Sequence, residues 1–171
     1  TFLVVFFTLL QHILYTMSNW NLANRDNDQV GQEQYEAIRS DSNSQDWAFF
    51  AYDYPTRTQV ALTGSGSGGI QEFFNHVKEQ KGGYGFCRVE TGDEESRRAK
   101  FFLLAWVPEE GANKLPIMVK GNMSVHKASF KEIFRDFNSE FTFGSEEDLN
   151  AEAVMNTIIK AGGANYMGQQ A

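Results

Sequence analysis

Cysteine is nearly absent from this sequence. Cys87 stands alone among 171 residues, so no internal disulfide forms and no thiolate cluster is available for a metal, which suits a reducing cytoplasm. An excess of basic charge is missing too. Fifteen lysines and arginines face 22 aspartates and glutamates, a formal net charge of -7, the wrong balance for a general nucleic-acid binder, whose affinity rests on neutralising phosphates. Neither His76 nor His126 has a partner at metal-ligand spacing, and both are expected in solvated or capping roles. No internal repeat is visible.

A membrane-spanning run is lacking as well. The opening "TFLVVFFTLLQHILYT" is apolar but interrupted by Gln11 and His12, short of the roughly 20 residues a spanning helix requires. It has no basic segment or small-residue cleavage site of a secretory signal. Met17 is read as the start of the working chain, with residues 1–16 outside the fold; a truncated membrane anchor or signal is the alternative, which would make the chain a membrane-tethered adaptor. The Asn-rich stretch that follows, to Gln29, is expected to be a disordered tail. Domain boundaries are therefore set at 1–29 for the leader, 30–166 for the domain and 167–171 for a flexible tail.

What the sequence does contain is apolar material, 42% hydrophobic and 14% aromatic, enough for one domain with a real core. "GQEQYEAIRSD" predicts a short helix. "DWAFFAYDY" predicts a strand covered on both faces, and "TRTQVALT" a second, followed by a flexible "GSGSGG" connection. Ile70, Phe73, Phe74 and Val77 are spaced as the inner stripe of a helix, stopped by Gly82 and Gly83. "YGFCRVE" and "AKFFLLAWV" flank "TGDEES", which predicts an antiparallel hairpin. "SVHKASFKEIFRDFNSEF" predicts the longest helix, with Phe130, Ile133, Phe134, Phe137 and Phe141 on one face and Lys127, Lys131 and Arg135 along its flank. A last helix is expected to open at Ser145, paired with Asp148, and to end at Gly162. Strands broken by single helices predict an α+β fold, a mixed and largely antiparallel sheet with helices on both faces.

Two features invite a function. Gly64, Gly66 and Gly69 satisfy G-x-G-x-x-G between a strand and a helix, with Glu90 further on, the outline of a dinucleotide site. Yet the strand bearing Glu90 turns back through a hairpin, and no further strand–helix alternation completes a nucleotide fold. Cys87, mid-strand, reads as a buried small apolar residue, so no catalytic constellation is present. The second feature is the cluster Arg97, Arg98 and Lys100 ahead of the apolar "FFLLAW". From Arg97 to Arg135 eight cations face three carboxylates, whereas Asp136 to Lys160 holds one cation and six carboxylates. Such segregation predicts a one-sided positive surface able to steer an acidic partner.

The stretches "YEAIRSD", "WAFFAYD", "ETGDEESRRAKFFLLAW", "FKEIFRDFNSEF" and "IIKAGGANY" together resemble the coactosins of the actin-depolymerising factor homology (ADF-H) family, in order from about Gly31 to Tyr166. The resemblance implies a five- or six-stranded mixed sheet between helix pairs, a cytoplasmic location at the actin cytoskeleton and cell cortex, and a monomer. It implies binding to the side of F-actin, opposition to filament capping, and neither catalysis nor cofactor, metal or membrane. Carried over by position, the filament contacts are Lys100, Arg97, Arg98, Lys127 and Lys131. A contact to the enzyme 5-lipoxygenase falls on Lys160, at the far end of the terminal helix, where it is expected to bear much less on actin binding than Lys100. "GSGSGGIQEFF" is richer in glycine than the family pattern, and the register from Lys114 to Ser124 does not align.

Overall fold

Alternation of large apolar side chains builds the sheet. In the computed structural model, which describes residues 25–52 and 60–162, β1 (Trp47–Tyr52) is buried along its whole length. Trp47, Phe49 and Ala51 enter one core, Ala48, Phe50 and Tyr52 the other, as successive residues of a strand must. β2 (Val60–Gly66) and β3 (Gly83–Thr91) pair antiparallel with β1 on either side. β3 turns through the expected hairpin into β4 (Arg98–Trp106), and β4 pairs in parallel with β5 (Ser139–Phe143). The order is β2-β1-β3-β4-β5, the mixed, largely antiparallel sheet that the sequence predicts.

Helices cover both faces. α1 (Arg25–Arg39) and α3 (Ile117–Ile133) close one core over Tyr84, Phe86, Phe101 and Leu103. α2 (Gly69–Lys78) and α4 (Ala151–Ala161) close the other over Cys87, Phe102, Leu104 and Trp106. Aromatic contacts knit the first core: Phe130 and Phe134 stack with centroids 4.3 Å apart, and Phe134 lies 5.2 Å from Phe86. Removing one such ring costs about 3–5 kcal/mol, so α3 is held firmly to the sheet.

Four expectations need correction. The long helix starts at Ile117, ahead of the expected Ser124, and stops at Ile133. Phe134 leaves helical geometry, and Asp136 takes a left-handed φ of 58°, stabilised where the Tyr35 hydroxyl donates to its carboxylate at 3.1 Å and Arg39 Nη1 to its carbonyl at 3.1 Å. Phe141 therefore lies not on the helix but on β5, a strand whose alternation "SEFTF" is hidden by the helical spacing of the preceding phenylalanines. The final helix is split: Asp148 accepts from the backbone N–H of Ser145 at 3.0 Å in a short 3-10 turn, and α4 opens separately with Asn150 accepting from Ala153 N–H at 3.0 Å. Gly64 to Gly66, expected as a flexible connection, belong to β2. The first helix opens at Arg25, inside the stretch expected to be a disordered tail. The readings of residues 1–24, of 53–59 and of the closing "GANYMGQQA" fall outside the described residues.

Candidate functional site

The hairpin between β3 and β4 is the rigid mount of the first cations. Asp93 Oδ1 accepts from Ser96 Oγ at 2.7 Å, from Ser96 N–H at 2.9 Å and from Glu95 N–H at 3.2 Å, and these donors hold its carboxyl below the ordinary range. Arg97 and Arg98 leave this turn exposed to solvent. Arg97 approaches Glu90 at 3.6 Å with both side chains more than half exposed, a pair too wet to contribute much. Arg98 and Lys100 have no ion pair among the described residues.

Lys100 is half-buried on the Phe102 side of the sheet, the side that α4 covers. Its Cε lies 3.9 Å from where a Cβ on Gly162 would stand. Gly162 caps α4, so the ammonium approaches the carbonyl end of a helix, where a cation is favoured. Lys160, exposed on the last turn of α4, belongs to the same end of the molecule as Lys100.

Lys127 and Lys131 are placed differently. Both bind Glu140 on β5, at 2.8 Å and 2.7 Å, and Lys131 Nζ also lies 5.3 Å from the Phe137 ring centroid. Burial raises the Glu140 carboxyl, but the two lysine hydrogen bonds and charges outweigh it and leave it below the ordinary glutamate range. A carboxylate from the acidic segment thus offsets part of the basic ridge expected along the helix, at Lys127 and Lys131, while Arg135 has no ion pair among the described residues. Arg39, which sequence reading did not single out, stacks over Phe101 at 4.6 Å and joins the same end of the sheet.

The outer face of α3 also escaped the sequence. Val119, Met123, His126 and Phe130 form its inner stripe, which leaves Ile117 86%, Met118 84% and Val125 61% exposed. The signal was the apolar "IM" directly after Pro116, a residue suited to a helix start; Gly121 and Asn122 weaken helix propensity there and hid it. His126, expected in a solvated or capping role, is buried at 2% exposure. His76 is half-buried, 3.1 Å from Thr63 Oγ1.

The glycine-rich segment is not built for a pyrophosphate. Glu72 Oε2 accepts from Gly68 N–H at 2.7 Å and from Trp47 Nε1–H at 2.7 Å, and Asp46 Oδ2 accepts from Gly69 N–H at 2.9 Å. The amides that would cradle phosphate already serve two carboxylates, whose charge repels it. A Cβ at Gly66 would run into Glu72 and the Trp47 indole, so packing accounts for that glycine. Among the described residues no cluster of histidine, cysteine and carboxylates is placed to hold a metal, and no helix is long and apolar enough to cross a membrane. Cys87 is fully buried and its thiol is pushed well up by desolvation, the inert state the sequence suggested.

Comparison with known proteins places this geometry. Coactosin of Dictyostelium discoideum is 34% identical over 137 residues, covering 80% of this chain and 90% of that one. Coactosin-like protein of Bos taurus is 30% identical over 135 residues, covering 79% and 89%. The solution structure of human coactosin-like protein superposes with a TM-score of 0.67 at 26% identity, covering 84% of this chain and 94% of that one. Residues 26–159 match the pattern of the cofilin/tropomyosin-type actin-binding proteins, and the chain belongs to that family, as an actin-binding protein of the cytoskeleton rather than an enzyme.

Proposed function

We propose that the chain binds the side of actin filaments through two chemically distinct surfaces, one at the start of α3 and one at the β3–β4 hairpin with the end of α4, and that it opposes capping without severing. The observation that carries this reading is the exposed pair Ile117 and Met118 at the start of α3. Adjacent large apolar side chains left in water on a helix that the core anchors firmly suit an apolar cleft on a partner. The second surface is the cation group at the hairpin and the end of α4: Arg97, Arg98 and Lys100, with Lys160 beside them. The two surfaces belong to different elements, the start of α3 and the hairpin with the end of α4. Simultaneous engagement of both surfaces multiplies affinity beyond that of either alone.

Lys127 and Lys131 contribute to the electrostatic surface only in so far as Glu140 releases them. A contact between Lys160 and 5-lipoxygenase, with the protein acting as a monomer at the cell cortex, completes the proposal; exposure of Lys160 on the last turn of α4 supports it. Cosedimentation with filamentous actin tests the main reading. Wild type should pellet with filaments, and less so as salt rises, because the cation group is screened over about 8 Å at physiological ionic strength. The pair Ile117→Asp and Met118→Asp should reduce binding at least about tenfold while leaving the fold intact, since exposed positions usually shift stability by under about 0.5 kcal/mol. Undiminished pelleting of that variant would remove α3 from the interface.

A further inference from the structure

Resting on that reading, we propose that Glu140 is an internal competitor for the filament: it occupies Lys127 and Lys131 in the free protein and sets how much positive charge the α3 side offers to actin. Three observations converge on it. Both lysines reach the same carboxylate, Lys127 at Oε1 and Lys131 at Oε2, so each oxygen already serves one ammonium. The three side chains remain 26–39% exposed, which leaves the ammonium groups within reach of a docking surface without unfolding. Glu140 also sits on the edge strand β5 opposite Leu103, and so on the face of the sheet that α3 covers; that places it beside Lys127 and Lys131 and on the other face from Lys100, which sides with Phe102.

A carboxylate in this position acts on binding in two ways. Its single negative charge offsets one of the two positive charges that would otherwise attract an acidic partner, and when the lysines turn outward it remains as a like charge facing that partner. Affinity is thereby held below what the lysine content suggests. The two lysines also become conditional contacts, engaged only by a partner whose carboxylates out-compete Glu140, which discriminates against weakly acidic surfaces.

The test is cosedimentation with filamentous actin of wild type, Glu140→Gln, and Glu140→Gln combined with Lys127→Met and Lys131→Met, each first checked for a cooperative thermal transition. Glu140→Gln should bind about three- to tenfold tighter at low salt with a steeper loss as salt rises, and the added lysine substitutions should abolish the gain. Glu140→Thr, a good strand former, serves as the second neutral variant should the glutamine variant misfold. Binding of Glu140→Gln equal to or weaker than wild type, with wild type still pelleting, overturns the competitor role and leaves the filament reading standing. A gain that survives loss of both lysines also overturns it, because the effect would then be general charge. If no variant pellets at low salt, the filament reading itself falls, and the competitor role with it.

Discussion

Mild acid should loosen this protein through His126. α3 turns that imidazole into the core, where Nδ1 lies 2.8 Å from the Tyr52 hydroxyl. Tyr52 lies 2.9 Å from the Tyr84 hydroxyl, and Tyr84 gives its only proton to the Met123 carbonyl at 2.7 Å. Counting protons orders the chain: Tyr84 has none left, so Tyr52 donates to Tyr84 and His126 Nδ1–H donates to Tyr52. Neutral imidazole fits that arrangement, while a second proton puts charge where burial opposes it and lowers the pKa from 6.5 to about 3. Between those values the unfolded chain takes up a proton that the folded chain refuses, so this contribution is whole above the unfolded pKa and is lost as pH falls below it. From pH 7 to pH 5 the loss is about 2 kcal/mol, a large share of the roughly 5–15 kcal/mol of a typical domain. Glu72, Asp93, Glu140 and Asp148 have carboxyls lowered in the fold, so their share is lost only on passing down through the carboxylate range. His76 shifts in the same direction as His126, which makes His126→Asn, a variant that keeps an N–H for Tyr52, the necessary comparison. Urea unfolding at both pH values should show wild type losing about 2 kcal/mol more than the variant. Equal losses would refute the burial argument.

Lys100→Glu should weaken filament binding at least about tenfold by replacing an attraction with a like-charge clash, and should cost about 0.3–1 kcal/mol of stability, because it sets a carboxylate at the carbonyl end of α4; cosedimentation and thermal melts separate the two effects. Lys160→Glu, at the same end of the molecule, should weaken binding by an intermediate amount, and filament binding unchanged in both variants would remove this end from the interface. Gly66→Val should lower the melting temperature by displacing Trp47 and Glu72, and wild type should show no saturable NAD(H) binding; a stable Gly66→Val variant would refute the packing account.

The fold was legible wherever one periodicity ruled a segment. β1, β3 and β4 are apolar on both faces for a physical reason, burial between two helical layers, and α2 shows its inner stripe cleanly in Phe73, Phe74 and Val77. Legibility failed where two periodicities overlapped. Phe130, Ile133, Phe134, Phe137 and Phe141 fit a helix by spacing, yet a left-handed Asp136, anchored from α1 by Tyr35 and Arg39, ends the helix between them. That contact spans about a hundred residues of chain, and no local pattern announces it. The glycines of β2 misled for the complementary reason: their propensity suggests a loop, but the His76 ring lies where a Cβ on Gly64 would stand and Glu72 and Trp47 where one on Gly66 would stand, so tertiary packing selects them for a strand.

Charge was the least transferable feature between sequence and structure. Along the chain the cations of 97–135 and the carboxylates of 136–160 form separate blocks, but the turn at Asp136 folds the second block back onto the first. Glu140 then takes up Lys127 and Lys131, and the backbone carbonyl of Asp136 takes up Arg39. The cations that remain without an ion pair among the described residues include Arg98, Lys100 and Lys160 at the hairpin and the end of α4, with Lys114 and Arg135 elsewhere. A few exposed cations screened by salt give encounter rate and orientation more than lasting affinity. Lasting affinity then has to come from surface that loses water on docking, and the large apolar side chains still exposed on the long helix are Ile117, Met118 and Val125. On the proposed filament reading, the main binding energy therefore comes from the first turn of α3, which the sequence pattern placed seven residues too late, and the cations that first drew notice set the orientation in which that turn meets its partner.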